Sequence, residues 1–399
     1  MSLRLEAETT ENYWRDYLSD ANGLYNKGTD CFHKGKYDKA IKLLKQSINI
    51  NPTKEAHLNM GAAYKQIGDL KKALVCFETS LKLDNNYALA LNNVGLIHHM
   101  WNREETAFDY FEKALTVDPD YADAGWNRAL SVLKRACSGN LDLFKDGWMG
   151  YEWRFHKSTP VELSHTDKPR WLGETDGTVL VMTEQGIGDN IMFMRYLPYI
   201  ADHVKIIIQV PDTLKVFFSG YETTNTSEIP HDYYVPICSL GAYFNEIPYG
   251  KYLNYTGELD SNLAGGIGIV WKGNPNHGND ANRSSYENMF KRFEKYGKLF
   301  SLQYGIKPKI AEPINIESWE DTIKYIASLD AVITIDSSIA HVAGALGKKV
   351  FILVPGIDTD FRWGLTGDTS IWYENATLIR NMNFDDCERK VAEWRTQQA

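Results

Sequence analysis

Along the first third of the chain, small and large apolar residues return in fixed register every 33 or 34 positions. Gly28, Gly61 and Gly95 hold one register, Ala40, Ala73 and Ala107 a second, Leu44, Phe77 and Phe111 a third, and Ser47, Ser80 and Ala114 a fourth. A period of this length predicts one helix pair per repeat, the small residues letting its two helices approach and the large ones filling the gap to the next unit. Pro52 and Pro119 stand at repeat ends, and a fourth, degenerate unit begins near Ala122. Further on the pattern changes to short, β-branched apolar runs at Val179–Met182, Val204–Val210, Ile267–Trp271, Ala331–Ile335 and Lys349–Val354. Such runs, bounded by polar turns, predict parallel strands buried on both faces.

Two of these strands lead into segments with candidate chemistry. After Ala331–Ile335 come Asp336, Ser337 and Ser338, then Ile339, Val342, Ala343 and Leu346 at helical spacing, then Gly347 as a helix stop. In this strand–helix–strand unit the helix start offers free N–H groups and the positive end of the dipole to an anion. The polar residues would also fall at the carboxyl end of a strand, where ligands of open α/β sheets collect. His341, one turn in, is placed to reach the same space. The alternative is that Asp336, Ser337 and Ser338 only cap the helix and that His341 is a satisfied core histidine.

The second segment follows Val179–Met182, with Glu184, Gln185, Gly186 and Gly188 in a loop and an amphipathic helix from about Asp189. The glycines permit a sharp turn and close backbone approach to a ligand. They do not make the dinucleotide fingerprint, because Ile191 stands where a third small residue belongs and the next strand ends in Gln209 and Val210 rather than an acid. Asp189 reads either as an acid stabilised at a helix start or as a general base aimed across a cleft. Between the two segments, in residues 265–285, the strand Ile267–Trp271 runs into a loop dense in Gly, Asn and basic residues, with Lys272 and Arg283 as charge partners for a diphosphate or as plain surface cations.

In the repeats, Asn26, Asn59, Asn93 and Asn127 share one register, so four amides are expected along one surface of the stack. An amide donates and accepts at once, which suits a peptide backbone, although asparagine is also common at such a repeat position. Residues 141–177 carry Trp148, Tyr151, Trp153, Phe155 and Trp171, an aromatic connector expected to fix the repeats to the C-terminal half of the chain.

Composition narrows the classes. With 399 residues, 43% hydrophobic and 13% aromatic, the chain is a folded protein of two or three domains. A net charge of -9 argues against a broad nucleic-acid footprint, and the run Lys291, Arg292, Lys295, Lys298 reads as a solvated helix face. Five scattered cysteines show neither zinc nor disulfide spacing, and no segment has the length of a membrane span or the character of a signal peptide, so a reduced, cytoplasmic protein is expected.

Taken together the motifs resemble a family. The repeat pattern is similar to tetratricopeptide repeats. The segments TEQGIGDNIMFMRYLPYI, GIVWKGNPNHGNDANRSS, ITIDSSIAHVAGALGKKVFILVP and FRWGL followed by SIWY resemble the motifs of tetratricopeptide-containing glycosyltransferases of the heptosyltransferase group, and more distantly of protein O-linked N-acetylglucosamine transferases. The resemblance implies helical repeats over 1–140 (three full units plus the degenerate fourth), the connector 141–177, an acceptor-side Rossmann-like lobe at 178–262 and a nucleotide-sugar lobe at 263–399, together a GT-B fold. It implies metal-independent, inverting transfer from a nucleotide-sugar to a protein or glycan hydroxyl, with no cofactor. Asp189 would be the base, and Lys272, Asn274, Arg283, Ser284, Asp336, Ser337, Ser338 and His341 would line the donor site. Glu184, Gln185, Gly186, Gly188 and Trp363 would shape the acceptor side, Trp363 either stacking on a base or sugar or closing the core. Ser337 and Ser338 replace the Thr-Gly common after the aspartate in heptosyltransferases, so phosphate contacts are expected to differ. Two rival readings stand beside this one: an inactive interaction scaffold whose repeats mediate protein binding or self-association, and a transferase acting on a modified nucleic-acid base, which the acidic balance disfavours.

Overall fold

The structure, a computed structural model, describes residues 19–244, 247–248 and 250–398. Its contacts divide the chain into two compact units, 1–128 and 129–399.

The first unit is built from successive antiparallel helices: α1 (residues 19–33), α2 (Tyr37–Ile50), α3 (Lys54–Gln66), α4 (Leu70–Leu83), α5 (Ala88–Met100), α6 (Glu104–Val117) and the start of α7 (Ala122–Ala136). Thr53 and Asp69 cap α3 and α4 by accepting the backbone N–H of Ala56 and Lys72. The periodic glycines lie where the helices of a pair touch. A Cβ on Gly61 would stand 2.6 Å from Phe77 Cε1, and one on Gly95 at the same distance from Phe111 Cε1, so this register tolerates no side chain. The periodic serines do more than stay small: Ser47 Oγ donates to Ala21 O and Ser80 Oγ to Lys54 O, both at 2.8 Å. A further register appears in the turns within each helix pair, where Gly35, Gly68 and Asn102 all adopt positive φ (69°, 81° and 57°).

The second unit holds two separate, wholly parallel sheets. The first has the order β3-β2-β1-β4, from β1 (Thr178–Met182), β2 (Lys205–Gln209), β3 (Glu222–Thr224) and β4 (Tyr233–Pro236). The second has the order β10-β9-β8-β5-β6-β7, from β5 (Ile267–Val270), β6 (Leu299–Ser301), β7 (Glu312–Pro313), β8 (Ala331–Ile335), β9 (Lys349–Leu353) and β10 (Ala376–Ile379). The helices are α8 (Phe144–Tyr151), α9 (Ile187–Phe193), α10 (Leu197–Ala201), α11 (Asp280–Arg283), α12 (Trp319–Ser328), α13 (Ser338–Ala345) and α14 (Phe384–Gln398). Strands such as β8 are buried at every position, as their unbroken apolar runs require.

The expected boundaries shift in two places. Residues 129–140, assigned above to the repeats, cluster with the second unit, because Ala129 and Leu133 receive Gly150 and Gly147 of α8 at contact distances that leave no room for a Cβ. The aromatic segment 141–177 is likewise part of the second unit rather than a connector. Trp148 is 3% exposed and packs edge-on against Phe193, Phe361 and Trp372 at 5.3, 5.9 and 6.2 Å. No helix among the described residues is long and apolar enough to cross a membrane, and all five cysteines are buried and unpaired.

Candidate functional site

The carboxyl ends of β1, β5, β8 and β9 bring together charged and aromatic side chains from four distant segments. The loop after β1 is held from beneath. Glu184 is buried and paired by both carboxylate oxygens with Arg154 at 2.9 and 2.7 Å, each side chain fully enclosed, and its Oε1 also accepts Cys238 N–H at 3.2 Å. Asn190, a position that nothing in the sequence pattern singled out, accepts Glu184 N–H and donates to the carbonyls of Glu184 and Gly186, which fixes the loop's shape. Gln185 takes a positive φ of 57° and its amide meets the Tyr151 hydroxyl. Glu184 and Gln185 are thus consumed in holding the loop rather than offered to an acceptor.

Gly186 begins α9, and Asp189 Oδ2 accepts its N–H at 3.0 Å. The other oxygen of Asp189 is ion-paired with Arg362. Arg362 in turn holds Asp360 through both oxygens at 2.9 and 2.8 Å. Both readings of Asp189 therefore meet in one residue: it satisfies the helix start, and it faces across to another segment, where an arginine occupies it. Burial works against the charge of Asp360, but the Arg362 contacts outweigh it and hold the carboxyl below its ordinary range.

Gly188 serves packing rather than a ligand. A Cβ there would stand 2.6 Å from His341 Cδ2, so its absence is what lets α9 lie on α13. His341 is buried, its Nδ1 is 2.8 Å from the Tyr373 hydroxyl and its ring stacks on Trp363 at 5.5 Å. Burial first, and the Arg362 charge second, push its pKa down to about 3, so it is a neutral core histidine, the alternative raised above. Trp363 is 1% exposed and closes the core in the same way.

The start of α13 differs from the capping expectation. Ser337 occupies the N-cap position with no side-chain cap, its Oγ lying 3.1 Å from Thr334 Oγ1 instead. Ser338 opens the helix, partly exposed. Asp336 is raised to about 6 by burial and then by the neighbouring Asp360 charge, against the pull of Trp363, Arg283 and Arg362. Arg283 donates from Nη1 to Asp336 O at 3.0 Å, tying the loop after β5 to the end of β8. Ser284 Oγ accepts Gly273 N–H and donates to Asp280, and Asn274 Oδ1 accepts Asn276 N–H, so both shape that loop. Lys272 is locked through its backbone to the Gln303 amide at 2.9 and 3.1 Å while its side chain is exposed. No group of three or more His, Cys, Asp or Glu suited to a metal occurs among the described residues.

The structure thus gathers Asp189, Asp336, Arg283, His341 and Trp363, and it adds Asp360, Arg362 and Tyr373 as their partners. Arg362 had a visible place in its loop, but nothing in its surroundings along the chain marked Asp189 as its partner.

In the repeats the four amides do not form a uniform ladder. Asn26 is exposed, Asn59 donates to the Tyr25 hydroxyl and Thr29 Oγ1, Asn93 donates to Leu89 O, and Asn127 donates to Asn92 Oδ1 at 3.0 Å. The helix spacing brings neighbouring side chains within reach, so Asn59 and Asn127 are spent between adjacent helices while Asn93 turns its N–H back on its own helix. Lys65 reaches Asn93 Oδ1 at 3.3 Å, and among the described residues no carboxylate pairs with it.

Residues 19–86 and 53–120 match the tetratricopeptide repeat family, so the helix pairs are tetratricopeptide repeats. Protein FlbA of Caulobacter vibrioides is 27% identical over 190 residues, covering 46% of this chain and 31% of its own length. Tetratricopeptide repeat protein 6 of Homo sapiens is 29% identical over 107 residues, covering 26% of this chain and 21% of its own length. The chain therefore spans less than a third of either relative. Among solved structures, the first repeat domain of Spaghetti (RPAP3) bound to the HSP90 peptide SRMEEVD is 23% identical, with a TM-score of 0.27 over 28% of this chain and 88% of that one.

Proposed function

We propose that the chain is a protein-binding repeat protein whose tetratricopeptide unit takes an extended segment of a partner. The observation that carries this reading is Lys65, an ammonium between two repeat helices that meets only the Asn93 amide, with no carboxylate to neutralise it among the described residues. Burial lowers its pKa, a cost that an arriving acidic group would offset. An array of peptides of varied charge, probed with the full chain and with Lys65→Glu, tests this. Acidic peptides are expected to be retained by the first and lost by the second; identical binding profiles would sink the reading.

A second reading is favoured by the convergence of Asp189, Arg362, Asp360, Asp336 and Arg283 at the strand ends. Here the second unit has GT-B architecture and performs metal-independent, inverting transfer from a nucleotide-sugar. The uncapped first turn of α13, with Arg283 and Lys272, would meet the charge developing on the departing diphosphate. Asp189 would deprotonate an acceptor hydroxyl, which requires Arg362 to release it first, since both carboxylate oxygens are engaged. The repeats would then recruit the acceptor protein. Thermal shifts against nucleoside diphosphates and nucleotide-sugars, with Arg283→Ala as control, test this reading; a selective shift lost in the control supports it, and no shift with any of them leaves the scaffold reading alone.

A further inference from the structure

Among the described residues, four arginines of the second unit are at most 9% exposed, and three of them meet carboxylates. Arg154 has Glu184 and Glu152, Arg283 has Asp280, and Arg362 has Asp189 and Asp360. Arg195, 2% exposed, is the exception. Its Nε donates to Met192 O at 2.8 Å, Nη1 to Trp372 O at 2.9 Å and Pro248 O at 3.4 Å, and Nη2 to the Tyr252 hydroxyl at 3.0 Å. All of these acceptors are neutral. One of the five guanidinium N–H groups, on Nη2, has no protein acceptor among the described residues. A cation this deep is costly unless something of opposite charge answers it.

A cavity of about 240 Å³ opens on Arg195. Lys251 stands on its wall, exposed, with no carboxylate partner among the described residues. Asp202 is the one acid lining the cavity among the described residues, and it is exposed at the rim. Pro198 and Tyr199 provide an apolar wall.

We infer that this cavity binds a small oxyanion, a carboxylate or a phosphate, held between the free N–H of Arg195 and the Lys251 ammonium. Both cations lack a carboxylate partner among the described residues, and a planar guanidinium beside an ammonium suits either anion. The site is distinct from the cluster at the strand ends, yet joined to it. The Tyr252 hydroxyl lies 3.4 Å from that of Tyr373, which lies 2.8 Å from His341 Nδ1, beneath Gly188. An anion that draws Arg195 toward the cavity therefore pulls on the chain of contacts that sets α9 against α13. The Arg195 guanidinium also lies 5.3 Å over the Trp372 ring, which makes tryptophan emission a reporter.

The test titrates the full chain with inorganic phosphate and with succinate, each against sodium chloride at matched ionic strength, following melting temperature and tryptophan emission. The expected result is a saturable change beyond the chloride control with at least one of the two anions, the stronger one naming the preferred chemistry. Binding should weaken roughly ten-fold in Lys251→Glu, a surface substitution that leaves the core intact, and persist in Lys272→Ala, which disables the strand-end site. No change beyond chloride, or binding that survives Lys251→Glu, overturns the inference. Binding lost in Lys272→Ala but kept in Lys251→Glu also overturns it, by assigning the anion to the start of α13.

Discussion

Replacing Asp336 by asparagine should stabilise the second unit at neutral pH and do nothing in acid. Asp336 sits between the end of β8 and the start of α13, partly buried beside the Asp360 charge, and its pKa rises from 3.8 to about 6. The folded protein holds this proton more tightly than the unfolded chain does. The stabilisation that the proton brings is complete below pH 3.8 and is lost as the pH rises through 6. A carboxyl displaced by this much carries a cost of about 3 kcal/mol once ionised. Asparagine keeps the shape and removes the charge, so the expected gain is roughly 1–3 kcal/mol at pH 7.5, falling to about zero at pH 4. Urea unfolding at pH 4, 6 and 7.5 measures it, followed by the emission of the buried Trp148, Trp363 and Trp372. A gain independent of pH, or a loss at pH 7.5, would refute the reasoning, because either would mean that the carboxylate is stabilised in the fold. The same substitution bears on function: a charged Asp336 opposes an anion at the start of α13, so Asp336→Asn should tighten nucleoside diphosphate binding if that site takes one.

Three further outcomes rest on particular contacts. Glu184→Gln leaves the enclosed Arg154 with Glu152 as its one carboxylate among the described residues and should cost about 3 kcal/mol by urea unfolding, most of it recovered when Arg154→Met and Glu184→Leu are combined. Gly95→Ala drives a methyl into the Phe111 ring with Ala107 O close behind, and should destabilise the repeats by about 1–3 kcal/mol as read by helical circular dichroism; an unchanged transition would show that α5 and α6 have slack. Gly68→Ala meets open space, so its loss of about 1 kcal/mol on the same assay comes from the positive φ alone, and no loss would mean that the turn relaxes.

The repeats were legible along the chain because their contacts are local and recur. Each glycine register faces the large apolar residue of the next helix, so the same pair reappears at the same spacing in every unit. The strands were legible because burial on both faces leaves an unbroken β-branched run, as in β8. The positive-φ register of Gly35, Gly68 and Asn102 is equally local but less visible, since asparagine stands in for glycine in the third unit.

What the sequence could not decide was which charge answers which. Arg362 and Asp189 are 173 positions apart, and Arg154 and Glu184 are 30 apart on different elements. Read singly, none of them names its partner, because periodicity reports the face a side chain occupies and not the residue it meets across the fold. His341 and Trp363 carried an ambiguity between ligand and core, and Gly188 read only as a loop glycine near a ligand, until α9 was laid on α13. The elements arise from short-range pattern, whereas the electrostatic state of the site depends on burial and proximity, which exist only when segments far apart in the chain share one interior.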